Sequence, residues 1–380
     1  MHICFLSHEY PLWTTGGIGS FLQTISRKLV KEGHIVTVIG WSNLLKGIFI
    51  NDQGVSIYRL PIPKYFRKGQ FIENALNVRK KVNEINAKIP IDILETSENG
   101  LFLLPSKTSY KKVVRMHGGH HFFAESENRS INRWKAKQES ISFKRADGFI
   151  APSQYAVNHT EKYLPTYGKP VKVIRYSIDS NIFHQADYSK AKKHKIVFAG
   201  IVCEKKGVRQ LIQALSLVKK MFHDVTLDIY GREWYYSNGS SYTEHLKKQF
   251  SEEILSHVLF HGAIGLADIP SKYEEAELCV FPSHMETLGL VAPEAMMMGK
   301  PVIFTEAGPG PETITHEKTG LLCNPLSPED IASKIIFAFE NPEMMKYIAD
   351  KGQKSVINRF EVCNNFQENI DFYKSLKNNK

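Results

Sequence analysis

Cysteine is scarce in this chain of 380 residues, and what there is excludes a disulfide framework. Cys4, Cys203, Cys279, Cys323 and Cys363 are odd in number, widely scattered and form no Cys-x-x-Cys pair. Most fall in apolar segments, so buried free thiols in a reducing compartment are expected. No run of 18 or more apolar residues occurs, and no membrane-spanning helix is predicted. The start, Met1-His2-Ile3-Cys4-Phe5-Leu6-Ser7, lacks the charged head and long apolar stretch of a signal peptide and reads as a β-strand. Low-complexity tracts are missing. A dinucleotide fingerprint is missing too. "TTGGIGS" has no third glycine, since Leu22 follows Gly17-Ile18-Gly19-Ser20-Phe21, and the second strand ends in Gly40-Trp41 rather than an acidic ribose ligand. A nicotinamide enzyme is thereby disfavoured.

What remains is a globular composition: 42% hydrophobic and 23% charged residues. The length predicts two domains. Charge is divided unevenly. Residues 1–180 hold 26 Lys and Arg against 14 Asp and Glu, whereas residues 181–380 hold 23 against 25. The basic first half suits an acidic partner such as nucleic acid, anionic headgroups or a phosphorylated substrate; a solvated lysine-rich face explains it equally.

Hydrophobic patterning alternates. "HICFLS" reads as a strand, "FLQTISRKLVKEG" as a helix with Phe21, Leu22, Ile25, Leu29 and Val30 at helical spacing and Gly33 as its stop, and "HIVTVIG" as the next strand. This is a βαβ unit with a parallel sheet. "VSIYRL", "IDILET", "KVVRMH" and "GFIAPS" are further strands, with "ENALNVRKKVNEINAK" and "NRWKAKQESISFKRA" as helices. The pattern restarts at Lys195 with "KIVFAG", "VRQLIQALSLVKK", "VTLDIYG", "EHLKKQFSEEI", "VLFHGA", "DIPSKYEEA" and "LCVFPS". The expected architecture is α/β, with two Rossmann-like domains facing across a cleft. Residues 1–178 form the first and 179–358 the second, and residues 359–380 form a helical tail packing back on the first. Ligands of such sheets bind where strands run into helices. The loops after "HICFLS", "KVVRMH", "KIVFAG", "VTLDIYG" and "LCVFPS" are therefore the places to look.

In "VVRMHGGHHFF", His117 stands just past a strand end, placed to bond a sugar hydroxyl or brace a reacting centre. His120 and His121 read as a solvent-facing loop; a zinc site with His117 lacks a carboxylate at ligand spacing. Gly200 ends a strand, and Lys205, Lys206 and Gly207 precede a helix, which makes either an anion site or a solvated lysine pair. "PSHMETLGLVAPEAMMMGKPVI" carries two glutamates around a helix start. Pro293 suits the first turn and Gly299 the stop, so the helix begins between Leu288 and Pro293. Glu286 then lies in the loop and Glu294 in the first turn. The amides of Thr287, Leu288, Gly289 and Leu290 are expected to point into the cleft, where a diphosphate would have one carboxylate on each side for sugar and ribose hydroxyls. The competing reading is that Glu294 complements the helix dipole.

This stretch, with "AGPGPETITHEKTGLLCNP" after it and "GGIGSFLQTISRKLVKEGHIVTV" and "FAGIVCEKKGVRQLIQAL" before it, resembles the retaining GT-B glycosyltransferases of family 4. The resemblance covers nearly the whole chain. It implies a hexosyl transfer from a UDP- or GDP-linked sugar to a saccharide or polyprenyl-diphosphate-linked acceptor in bacterial surface polysaccharide synthesis. It implies no metal and no cofactor, in keeping with the missing Asp-x-Asp at a strand end. Glu286 would contact the donor sugar and Glu294 the ribose. Lys206 would neutralise the leaving diphosphate, His117 would sit at the reacting face, and Gly17 would line the phosphate region. The family usually has an arginine where this chain has Ile201, and Lys205 or Arg209 is the available substitute. A nucleotide-sugar 2-epimerase and a catalytically inactive scaffold in a polysaccharide assembly complex share the architecture. The expected location is the cytoplasm, with an anionic membrane surface as a peripheral partner and no nucleic acid.

Overall fold

The computed structural model describes residues 1–11, 16–41, 44–63, 70–127 and 129–378. Thr14 and Thr15 of the glycine-rich loop lie outside them. The chain divides into two compact units, residues 1–177 with 362–380, and residues 178–361.

Unit 1 contains β1 (His2–Leu6), α1 (Gly17–Lys31), β2 (Ile35–Trp41), β3 (Ile48–Asp52), β4 (Val55–Leu60), α2 (Gln70–Lys88), β5 (Ile93–Thr96) and β6 (Lys111–Arg115). It continues with α3 (His120–Ser126), α4 (Arg133–Arg145), β7 (Gly148–Ala151), α5 (Gln154–Glu161) and β8 (Val171–Val173). Among the described residues the sheet order is β3-β4-β2-β1-β5-β6-β7-β8, parallel except that β3 runs antiparallel to β4. β1, β5 and β7 are buried along their whole length, which is why they read as continuous apolar runs rather than alternating ones. Helix α1 covers the sheet with Phe21, Leu22, Ile25 and Leu29. It ends as the sequence predicts, at Gly33 with φ +81°, whose amide bonds the Val30 carbonyl while that of His34 bonds Leu29.

Unit 2 contains β9 (Lys195–Ala199), α6 (Val208–Val218), β10 (Thr226–Tyr230), α7 (Tyr242–Gln249), α8 (Glu252–Leu255), β11 (Val258–Gly262), α9 (Ile269–Glu275), β12 (Leu278–Phe281) and α10 (Val291–Met297). After these come β13 (Val302–Thr305), α11 (Gly310–Thr313), β14 (Leu321–Cys323), α12 (Pro328–Glu340) and α13 (Pro342–Phe360). Its sheet, β11-β10-β9-β12-β13-β14, is parallel throughout. The last helix, α14 (Val362–Asn378), belongs to unit 1. A fully buried network ties it there. Arg115 donates to Glu95 (2.6 Å) and to Asn369 of α14 (2.5 Å), and Tyr373 of α14 donates to Glu95 (2.6 Å). Removing one partner of such a buried pair costs about 3–5 kcal/mol.

Several elements depart from the patterning. β3 was not anticipated. The pairing of Asp52 with Val55 leaves Gln53 and Gly54 as a two-residue turn, both at positive φ, and this hairpin signal is legible in hindsight. The single helix expected over "EHLKKQFSEEI" is two, because Ser251 caps a new start by accepting from the Ile254 amide. The break between α13 and α14 falls at Glu361, so the expected tail is essentially α14 alone. His120 and His121 open α3 rather than lying in a loop, and His121 is buried. Four cysteines are buried and free as expected, while Cys363 is exposed. Among the described residues no helix is long and apolar enough to cross a membrane.

Candidate functional site

In unit 2 the winding reverses between β9 and β12, which lie side by side, so the loops leaving them flank a topological switch point. Two close approaches bolt these loops together. Gly207 sits at φ +72°, and a Cβ there would overlap the Pro282 carbonyl oxygen. The His284 amide donates to the Lys205 carbonyl at 2.9 Å. The backbone carrying Lys206 is therefore fixed against the exit of β12. Gly200, at φ +147°, lies where a side chain on Gly231 would strike its carbonyl. A glycine is required at each of these crossings.

The β12 loop is anchored by Met285 and Leu288, both buried, and this leaves Glu286 between them facing Lys206. Lys206 Nζ donates to Glu286 Oε1 at 2.5 Å, with 21% and 10% of the two side chains exposed. Gly289, at φ +78°, passes 2.6 Å (by its missing Cβ) from the Phe304 ring, so no larger residue fits that turn. Helix α10 follows without a side-chain cap at Leu290. Among the described residues nothing bonds the amides of Leu288, Gly289 or Leu290. Glu294 lies in the first turn and is buried. No described side chain or amide bonds its carboxyl, and burial pushes it up to about 7. The helix ends as predicted, with the Gly299 amide on Met296 and that of Lys300 on Ala295.

One sequence-based substitute is engaged elsewhere in the empty protein. The Arg209 guanidinium is locked to Glu204 through Nη2 (2.6 Å) and Nε (3.1 Å), and Glu204 also accepts from Tyr242 (2.7 Å). To stand in for the missing arginine at Ile201, Arg209 would have to leave Glu204. Gly200, Lys205, Lys206, Glu286, Thr287, Leu288, Gly289, Leu290 and Glu294 are brought together around the β9 and β12 exits.

Gly17 and His117 belong to unit 1. Gly17 is the first residue of α1, after an uncapped Gly16. His117 follows β6 and its Nδ1 bonds the Tyr176 hydroxyl at 2.6 Å. Loss of hydration, then the Arg115 cation, pushes its pKa down to about 3, so the imidazole is neutral at ordinary pH. Among the described residues no cluster of His, Cys, Asp and Glu could hold a metal ion. His121 is instead paired with Glu139 at 2.5 Å, and His120 accepts from the Asn132 amide at 2.7 Å.

His117 lines a cavity of about 690 Å³ at the switch point of the first sheet, beside Leu6, Thr96 and Glu98. Sequence reasoning missed Glu98 because the loop after "IDILET" was left off the strand-exit loops to search. The same rule that singled out its neighbours would have found it.

Comparison with known proteins gives the family and the fold. Residues 179–355 match the family model "Glycosyl transferases group 1", and residues 15–181 match "Glycosyltransferase Family 4". An uncharacterized glycosyltransferase of Methanocaldococcus jannaschii is 25% identical over 98% of both chains. Sucrose-phosphate synthase of Thermosynechococcus elongatus shares the fold at TM-score 0.86 and 19% identity, covering 99% of this chain and 98% of that one. Anabaena HepE, solved with UDP and glucose, shares it at TM-score 0.79 and 20% identity, covering 99% and 100%. The chain belongs to the GT-B glycosyltransferases of the family 4 type. It is a transferase built on two Rossmann-like domains.

Proposed function

We propose that the chain moves a hexose-type sugar from a UDP- or GDP-linked donor to a saccharide or lipid-linked acceptor, with retention of configuration and without a metal. One observation carries this reading. Lys206 and Glu286 form an ion pair at the β9–β12 switch point, beside unoccupied amides and the buried, unpartnered Glu294. The binding of UDP and glucose by Anabaena HepE, on the same fold, supports a nucleotide-sugar donor.

In this reading the diphosphate rests on the amides of Leu288 to Leu290 and draws the ammonium of Lys206 toward it. Glu286 is then released to accept hydrogen bonds from the transferred sugar. Glu294 gains from the ribose hydroxyls the bonds it lacks in the empty protein. As the anomeric carbon–phosphate bond breaks, charge grows on the leaving oxygen, where Lys206 and the amides already point. Preorganised donors of this kind contribute several kcal/mol. The acceptor oxygen bonds the anomeric carbon on the same face, and its proton passes to the departing phosphate oxygen. Neutral His117 is assigned a hydrogen bond to the sugar.

A thermal-shift panel of UDP, GDP and ADP tests the donor site. At a concentration 100 times Kd, the matching nucleotide adds about 2.7 kcal/mol of stability. Glu294→Ala should remove most of that increment. No shift with any of the three would sink the proposal. The anomeric configuration of the product, read by NMR with the matching donor, tests retention.

A further inference from the structure

The cavity of unit 1 is lined by three polar side chains from separate elements, two of which leave polar atoms without a partner among the described residues. Glu98 is 4% exposed, and its carboxyl is held by backbone amides, among them that of Gly118, which donates to Oε1 at 2.8 Å. Gln138 of α4, also 4% exposed, makes no side-chain hydrogen bond. On α2 the Oδ1 of Asn74 is buried without a partner. All three line the same cavity. Buried polar groups are almost always bonded, so the unpartnered amide side chains of α2 and α4, converging with Glu98 on one space, mark a ligand or ordered water. The volume of about 690 Å³ lies within the range of small-molecule sites.

The chemistry of the walls narrows the ligand. Glu98 and Glu139, both buried, flank the Gly118-Gly119 turn; a Cβ on Gly119 would strike Glu139 Oε1 and lie 3.0 Å from Glu98 Cγ. Carboxyl and amide side chains together accept from and donate to adjacent hydroxyls. Trp134 and Phe102, edge to face at 5.3 Å, add an apolar surface suited to the C–H face of a pyranose. Burial, then the Glu139 charge, pushes Glu98 up to about 8, and the same two causes work against a further negative charge at this wall. Two cations reach the rim. Arg129 is engaged by Glu127 (2.6 Å), and Lys135 is exposed.

We infer that this cavity binds an uncharged, hydroxyl-bearing sugar unit of the acceptor through Glu98, Gln138 and Asn74, and discriminates against a phosphorylated one. The inference rests on the transferase reading above and names the acceptor chemistry it takes. It runs against the basic net charge of the first half, which by itself points to an anionic ligand.

The test uses the full chain in the presence of the nucleotide that stabilises it. Methyl α-hexopyranosides of the gluco, manno and galacto series, and the matching hexose 6-phosphates, are titrated by saturation-transfer NMR. A neutral glycoside should bind at least tenfold tighter than its 6-phosphate. Gln138→Leu should weaken it at least tenfold while leaving the melting temperature equal or higher, since an unbonded buried amide is exchanged for an apolar side chain. Asn74→Leu, on another helix, repeats the test. Unchanged affinity in both variants, tighter binding of the 6-phosphate, or no response to any glycoside overturns the inference. The nucleotide thermal shift is read separately. A chain that responds to a nucleotide but to no glycoside loses this inference and keeps the donor site, while a chain that responds only to glycosides does the reverse.

Discussion

At the switch point of the second sheet the loops present a cation, Lys206, beside bare backbone amides. At that of the first sheet, Glu98 of the β5 loop meets Glu139 and Gln138 of α4 and Asn74 of α2. Both crevices arise from the same parallel winding, which puts strand exits and helix starts on one edge. Topology decided where each site lies; the side chains decided what each can hold. In the proposed reading the second unit takes phosphate and the first takes hydroxyls. A net charge counted over half a chain averages across that distinction, because among the described lysines of the first half Lys135 alone lines this cavity.

The sharpest way to break this contrast is Lys206→Ala. Glu286 is left buried without its cation, and the leaving group loses its charged donor. Turnover should fall about 10²–10³-fold. Steady-state kinetics with the donor whose nucleotide stabilises the chain checks it, and a loss under about threefold would remove Lys206 from the chemistry.

Next in size is Gly207→Ala, which asks whether the two loops of unit 2 must touch. The added methyl meets the Pro282 carbonyl at a φ of +72°. A loss of roughly 2–4 kcal/mol in urea denaturation is expected, combining backbone strain with overpacking.

Glu294→Gln sharpens the comparison of buried acids. Folding raises this carboxyl from 4.5 to about 7. The native state therefore binds the extra proton between those values, so stability falls as pH rises through that window and the loss is complete above it. The nucleotide-free variant should be more stable than the parent at about pH 8, by at most roughly 3 kcal/mol, and equal to it near about pH 4. Its nucleotide-dependent shift should shrink at the same time. Parallel stability curves at the two pH values would contradict the burial argument.

The smallest effect belongs to Arg209→Ala. Its ion pair with Glu204 is partly exposed, at 33% and 45% of the two side chains, and is worth under about 1 kcal/mol. Nucleotide affinity should change less than about twofold, as expected for a guanidinium already occupied elsewhere. A larger loss would return Arg209 to the phosphate site.

Much of this molecule was written locally in its sequence. Continuous apolar runs fixed the buried parallel strands, the spacing of Phe21, Leu22, Ile25 and Leu29 fixed α1, and Gly33 and Gly299 marked helix ends, because period and left-handed backbone geometry are properties of short segments. The place of Glu286 in a loop and Glu294 in a first turn was legible for the same reason. Partnership was not. That Lys206 meets Glu286 eighty positions away, that Arg209 is claimed by Glu204, that His121 is buried on Glu139, and that Glu98, Gln138 and Asn74 share one cavity were decided only when the sheets formed. Spacing along a chain sets which side chains share a face, whereas which groups meet across elements, and which are left without a partner, depends on packing that no short segment contains.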